Sequence, residues 1–188
     1  MAGYGTPSAA LGTHDAGPAT IGIAAASWHT EIMDALLDGA RRAAADAGCT
    51  VTEVRVPGSF ELPVAAQALA RTCDVVVALG VVIRGETPHF EYISGATTEA
   101  LARVALDEST PVGNGVLTVN TREQAVDRSG VEGASEDAGY AAAEAAIRGH
   151  ALAGTVADYE LSFEDGERLR GRFLVQRLDY AGDFNGER

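Results

Sequence analysis

The sequence predicts an α/β fold, a three-layer α/β/α sandwich built on a central four-stranded parallel sheet. Short apolar runs rich in valine and isoleucine alternate along the chain with longer stretches whose apolar residues recur at three- and four-residue steps. The run Asp74–Ile83 (DVVVALGVVI) is the most apolar in the protein, as a central parallel strand covered on both faces requires. The strand–helix alternation continues through four units, and right-handed crossovers then place helices on both faces of one sheet.

Residues 1–19 are mostly Gly, Pro, Ser, Thr and Ala, the composition of a flexible tail. Ile21–Ala26 reads as a buried strand. Ser27 or Thr30 can cap the following helix, whose apolar positions Ile32, Leu36, Ala40, Ala43 and Ala47 form one face and which Gly48 ends. Val51–Val56 alternates as a second strand. Pro57-Gly58 is a turn, and Leu62-Pro63 opens a short helix to about Arg71, with proline in the first turn. After the central strand comes a helix from about Pro88 to Asp107, with Thr87 as its N-cap and Phe90, Ile93, Ala100, Leu101 and Val104 as its core face. Pro111–Val119 is the fourth strand and Arg122–Arg128 a short helix. The loop Ser129–Gly139 leads to an alanine-rich helix from Tyr140 to about Ala153. The last stretch differs: Tyr159–Phe163, the turn Glu164-Asp165-Gly166 and Arg172–Tyr180 read as a β-hairpin. The expected layout is a tail (1–19), one α/β domain (20–154) and a C-terminal extension (155–188). A length of 188 residues suits one domain with a little left over.

Composition narrows the chemistry. All 14 basic residues are arginine and none is lysine, which excludes a lysine Schiff base, a P-loop lysine and pyridoxal-phosphate chemistry. The formal net charge of -13 argues against broad binding to nucleic acid or anionic membranes, because phosphate contacts need clustered cations. Cys49 and Cys73 lie in no CxxC or Cys/His cluster, so neither a zinc site nor a disulfide framework is expected. No segment has the length and hydropathy of a membrane span or the pattern of a signal peptide, and cytoplasmic residence is the expectation.

In an open parallel sheet, ligands bind beyond the carboxyl ends of the strands. Three stretches fall there: Ser27-Trp28-His29, Pro57–Glu61 and Arg84–Phe90. The first turn of the helix beginning near Pro88 offers backbone amides and a positive dipole end to an anion. His89 lies in the same turn and can serve as a proton acceptor. Trp28, the only tryptophan, can stack on a planar heterocycle. Glu61 can accept hydrogen bonds from polyol hydroxyls, and Arg128 can hold phosphate as a planar fork. Read singly, each residue is equally at home in a structural role: His89 on a capped helix, Trp28 in the core, Glu61 solvated, Arg128 in an ion pair.

Together these loops resemble the lumazine synthase family. The matching segments are IAAASWHTEIMDALLDGA, VRVPGSFELPVAAQALA, DVVVALGVVIRGETPHFEYIS and PVGNGVLTVNTREQAVDRSG, and they span residues 20–153 almost without gaps. The resemblance implies a flavodoxin-like sandwich. It also implies condensation of 5-amino-6-(D-ribitylamino)uracil with 3,4-dihydroxy-2-butanone 4-phosphate to 6,7-dimethyl-8-ribityllumazine, without cofactor or metal. It implies that Trp28 stacks on the pyrimidine, that Ser59 and Glu61 hold the ribityl chain, and that backbone amides around Val82 and Ile83 read the ring edge. By the same resemblance Gly85, Glu86 and Thr87 would line the phosphate pocket and His89 would shuttle protons. Asn114 and Arg128 would come from the adjacent subunit of a homo-oligomer built on pentamers, Arg128 binding the phosphate.

Three features depart from the family pattern, the first being the acidic extension after residue 154, which has no counterpart in the family's usual ending. Ala138, in Glu136-Asp137-Ala138-Gly139, stands where the family usually carries a phosphate-site lysine. The segment Val131–Gly139 is longer than in shell-forming members, which favours isolated or paired pentamers. The alternative to an active synthase is a paralogue of the same fold, with lost or altered synthase activity, that binds a flavin- or lumazine-like ligand or serves as an assembly scaffold. The residue that separates the two readings is Ala138.

Overall fold

The structure, a computed structural model, describes residues 19–153, 156–162 and 168–174. The chain divides into two units, Met1–His150 and Ala151–Arg188, each taken here by itself. The expected tail over residues 1–18 lies outside the described residues. In the first unit β1 (Thr20–Ala26), β2 (Thr50–Val56), β3 (Val75–Ile83) and β4 (Val112–Val119) form one parallel sheet in the order β2-β1-β3-β4. The helices are α1 (Thr30–Asp46), α2 (Leu62–Ala70), α3 (His89–Asp107), α4 (Arg122–Val126) and α5 (Ala138–Ala153), and a 3₁₀ turn at Ser59–Glu61 leads into α2. No helix among the described residues is long and apolar enough to cross a membrane.

Strand alternation sorts the core into two layers. Ile21, Ile23, Ala25, Val75, Val77, Leu79 and Val81 face α1, α4 and α5, where they meet Ile32, Leu36, Ala40, Ala125, Ala143 and Ile147. Ala24, Val76 and Ala78 face α2 and α3, where they meet Leu62, Ala66, Leu69, Leu101 and Val104. The sequence therefore reads correctly as three layers, with β3 buried on both faces from Val75 to Val81.

Helix ends follow backbone demands more than side-chain caps. Neither Ser27 nor Thr30 caps α1. The cap position belongs to His29, whose φ of 61° and ψ of 57° are left-handed, while the Ser27 hydroxyl donates to Val56 O at 2.8 Å and ties β1 to β2. Gly48 ends α1 as expected. Its φ of 70° lets Cys49 N–H donate to Ala44 O and its own N–H to Ala45 O, a paired closure that favours glycine. Thr87 makes no side-chain cap on α3. Pro88 occupies the cap position with φ already near helical, and its carbonyl accepts from Glu91 N–H at 3.1 Å. On α3 the buried face is Thr97, Leu101 and Val104, with Phe90, Ile93 and Ala100 only half-buried. α5 begins at Ala138, two residues before the predicted Tyr140, because Asp137 Oδ1 accepts from Tyr140 N–H at 3.0 Å and so caps the helix.

α5 crosses α1 backbone to backbone. A Cβ on Gly139 would lie 2.0 Å from Leu36 O, and one on Gly39 would lie 2.3 Å from Asp137 Oδ1. Arg42 pairs with Asp137 at 2.5 Å, and Tyr140 donates to Asp46 at 3.0 Å along the same seam. The loop leading into this crossing closes on itself. Ser129 bridges Asp137, Gly130 N–H donates to Glu136 O at 3.0 Å, and Ser135 donates to the Asp127 carboxylate at 2.7 Å. At the opposite end of the sheet Asp74 staples β3 to β1. Its Oδ2 accepts from Thr20 N–H and Thr20 Oγ1, both at 2.7 Å.

In the second unit β5 (Val156–Ser162) and β6 (Arg168–Leu174) pair antiparallel, with Ser162 opposite Arg168 and Val156 opposite Leu174. The second strand of the expected hairpin thus starts at Arg168, not Arg172. Starting there shortens the connection to 163–167, close around the Asp-Gly pair, and short connections suit hairpins. Residues 163–167 and 175–180 lie outside the described residues.

Two outcomes follow from these contacts. Gly139→Ala forces α5 off α1 and lowers stability by about 3 kcal/mol or more, measurable by chemical denaturation. The Thr20 hydrogen bonds hold the Asp74 carboxyl below its ordinary 3.8, so its contribution is present above that value and is lost as pH falls through the lowered folded value. Asp74→Asn is accordingly expected to lower the thermal midpoint by about 2–4 °C at pH 7, a gap to wild type that narrows as the pH is taken well below 3.8.

Candidate active site

The strand order β2-β1-β3-β4 reverses direction between β1 and β3, which opens a crevice at their carboxyl ends. β1 pairs with β3 only from Ile21–Val75 to Ala25–Leu79, and β3 then runs on from Gly80 to Ile83 beside β4 alone. Val76 N–H and Arg84 N–H both donate toward β4, to Pro111 O and Val119 O at 2.9 Å. By alternation Val81 and Ile83 turn their amides and carbonyls to the other side, where β1 has ended. The sequence expectation named Val82 and Ile83. The backbone presents the Ile83 amide to the crevice and commits Val82 to β4.

The loops after β1 and β2 meet over this edge. Trp28 is 70% exposed, so it is no core tryptophan, and a Cβ on Gly58 would lie 4.0 Å from its indole Cδ1 and Nε1. Ser59 is buried, and its Oγ would stand 2.7 Å from a Cβ on Gly80 in β3. Gly80 therefore makes room for the serine turn to lie against the strand. Thr97, fully buried on α3, donates to Ser59 O at 3.3 Å and holds the turn from behind. Glu61 Oε2 accepts from Gly58 N–H at 2.9 Å, so one carboxylate oxygen shapes the turn. After β3, Gly85, Glu86, Thr87 and His89 are all exposed at the mouth, His89 as the first residue of α3.

Asn114 and Arg128 stand apart from this cluster. Asn114 is the third residue of β4, beside Ala78, and its Oδ1 accepts from Val116 N–H at 3.1 Å. At 3.3 Å per residue it sits about 16 Å down the strand from Val119. Arg128 donates to Gln124 O at 3.0 Å and faces Glu136 at 3.9 Å. Each of the nine arginines in residues 19–153 has a carboxylate within 4.0 Å, and the Arg128 pair is the longest. Among these nine, Arg128 is the guanidinium most weakly paired with a carboxylate. Ala138 is half-buried against the core beside α1 and brings no cation. A cleft of about 260 Å³ lies between α4 and residues 131–134, lined by Arg122, Val126 and Asp127, and includes none of the expected site residues.

Two features escaped the sequence reading. His29 takes a left-handed backbone conformation next to Trp28, with only a β-strand ending in Ser-Trp-His to hint at it. Arg84, within the quoted GVVIRGETPHF string, carried no assigned role. The aromatic and acidic residues at Phe90 and Glu91, in the first turn of α3, were the available signal.

An indole, a buried serine turn and an exposed strand edge at a switch point define an α/β protein that takes a small polar metabolite beyond the carboxyl ends of its parallel strands. Comparison with known proteins gives the family. A family model described as 6,7-dimethyl-8-ribityllumazine synthase matches residues 18–153. The chain is 57% identical over 148 residues to a protein of that name from Kocuria rhizophila, covering 78% of this chain and 95% of the relative. It is 58% identical over 149 residues to one from Mycolicibacterium gilvum, covering 78% and 92%, and 61% identical over 128 residues to one from Mycolicibacterium vanbaalenii, covering 68% and 82%. The chain belongs to the 6,7-dimethyl-8-ribityllumazine synthase family.

Gly80→Ala tests the packing of the serine turn. The added methyl meets Ser59 Oγ and Leu62, which is expected to shift the turn, lower stability by about 1–3 kcal/mol and change the emission of Trp28 without loss of far-ultraviolet helix signal.

Proposed function

We propose that the protein condenses 5-amino-6-(D-ribitylamino)uracil with 3,4-dihydroxy-2-butanone 4-phosphate to form 6,7-dimethyl-8-ribityllumazine in riboflavin biosynthesis, releasing phosphate and water. The observation that carries the reading is the strand edge at Val81–Ile83, left open by β1 and flanked by Trp28 and Ser59. A flat pyrimidine stacks on the indole while its edge meets the Ile83 amide. The ribityl chain lies along the Ser59 hydroxyl and the Glu61 oxygen that Gly58 leaves free. The butanone phosphate occupies the loop Gly85–Thr87 at the start of α3, where unpaired amides favour an anion.

The substrate's own amine attacks the ketone, so the absence of lysine is no obstacle. His89 carries protons as the carbinolamine loses water, as phosphate is eliminated, and as the second amine adds to the remaining carbonyl and a second water leaves to close the ring. Both reactants are intrinsically reactive, so holding them in a near-attack arrangement supplies much of the acceleration. Proton transfer by one placed imidazole adds about 10²–10⁴.

Asn114 and Arg128 serve the site of a neighbouring copy, a reading supported by their separation from the loops of their own chain. Trp28, Phe60, Val64, Tyr92 and Leu106 are large apolar residues on the surface of one chain, as a protein that associates with itself requires. The assembly is built on pentamers, isolated or paired, and works in the cytoplasm without cofactor. With alanine at 138, Arg128 and the start of α3 hold the phosphate alone.

The test is turnover of the two substrates, followed by the absorbance of the lumazine. His89→Ala is expected to lower kcat by about 10²-fold. Ala138→Lys is expected to tighten the butanone phosphate about tenfold or more, the worth of a charge-assisted contact. A folded oligomer that binds riboflavin and turns over neither substrate overturns the reading and favours a binding paralogue.

A further inference from the structure

We propose that Arg84 is a positioning residue for this reaction, fixing the first turn of α3, and with it His89, to the end of the sheet. The proposal rests on the proton-carrying role given to His89. Arg84 is the first residue past β3, and its N–H extends the ladder to Val119 O at 2.9 Å. Its side chain then reaches three ways. Nε donates to Asn120 Oδ1 at 2.9 Å, just past the end of β4. Nη1 donates to the Glu91 carboxylate. The guanidinium carbon lies 4.2 Å from the centroid of the Phe90 ring. Asn120 is itself held, since its N–H donates to Gln124 Oε1 at 2.8 Å in α4.

Phe90 and Glu91 are the two residues that follow His89. Among the described residues the intervening loop, Gly85–Thr87, shows no hydrogen bond of its own, so the side-chain ties across it come from Arg84. The guanidinium spans that loop, joining the last residues of the sheet directly to the residues beside the imidazole. Only a planar fork can donate along two edges and stack by its face at once, and a lysine ammonium could keep just one of the three contacts at full strength. An ion pair this exposed adds little stability. The arrangement therefore matters for placement, and placement is where catalysis is sensitive: an error of about 1 Å in a reacting group can cost about 10²-fold. The hydrogen bond from Arg84 holds the Glu91 carboxyl below its ordinary range, so the pair stays charged at neutral pH.

The experiment compares the full-length chain with Arg84→Gln, Arg84→Lys and His89→Ala, using steady-state kinetics on both substrates and native mass for the assembly. Arg84→Gln is expected to lower kcat about tenfold, with both KM values within about twofold of wild type, and Arg84→Lys to recover less than half of the loss on a logarithmic scale. Wild-type kcat in Arg84→Gln, while His89→Ala is slow, overturns the role of Arg84 alone. Wild-type kcat in His89→Ala removes the role of His89, and this proposal falls with it. A loss in Arg84→Gln that appears only in KM also overturns it. If Arg84→Gln does not assemble, Glu91→Gln and Asn120→Ala each remove one arm. A fall in kcat in both at unchanged KM upholds the proposal, and wild-type kcat in both overturns it.

Discussion

β3 is hydrogen-bonded to neighbours on both sides over its first half and on one side over its last four residues. The arrangement of the molecule depends on that asymmetry. A strand of nine largely apolar residues must be covered on both faces, which calls for helices above and below the sheet. It must also satisfy its backbone, which β1 and β4 do jointly only as far as Leu79. Beyond that point the strand remains apolar in side chain and open in backbone on one side. The serine turn and the indole arrive at this edge because β1 and β2 both end there, and Gly80 leaves the turn room to lie close.

The elements were legible because burial imposes period. The alternating residues of β1 and β3 divide between two helical layers, and the three- and four-residue spacing of Ile32, Leu36, Ala40 and Ala43 places α1 on one of them. Helix starts were less legible. Ser27, Thr30 and Thr87 are good capping residues by type, yet His29 and Pro88 hold those positions, since the turn from strand to helix fixes the backbone first and leaves the hydroxyls to bond elsewhere or face solvent. The cap of α5 is an aspartate that pattern reading placed in a loop, because its second task, pairing with Arg42, depends on a helix nearly a hundred residues away. The hairpin was found by its Asp-Gly pair, but its second strand starts earlier than alternation alone indicated.

The site divides the same way. Residues on the three loops could be grouped from sequence because topology brings every strand end to one side of the sheet. Asn114 and Arg128 could not be grouped on that ground, and within one chain they stand apart from the loops. Arg84 was not legible as a separate role because, although Phe90 and Glu91 follow it closely, Asn120 reaches it only through the pairing of β3 with β4. The lysine-free composition sharpens this point. Every arginine in residues 19–153 is already matched to a carboxylate, so a positive group available to a ligand there is recognised by how loosely it is matched, which charge counting cannot reveal.

The segment between α4 and α5 is closed at its base by one small knot. Ser129 and Asp137 bridge, Ser135 and Asp127 bond, and the glycine contact at Leu36 locks the chain as it re-enters. Val131–Ala134 is therefore an excursion whose two ends are tied together independently of its length. Lengthening such a tied excursion costs only about 0.6 kcal/mol per doubling. The exposed tip at Glu132 and Gly133 is therefore where a change in chain length disturbs the rest of the domain least.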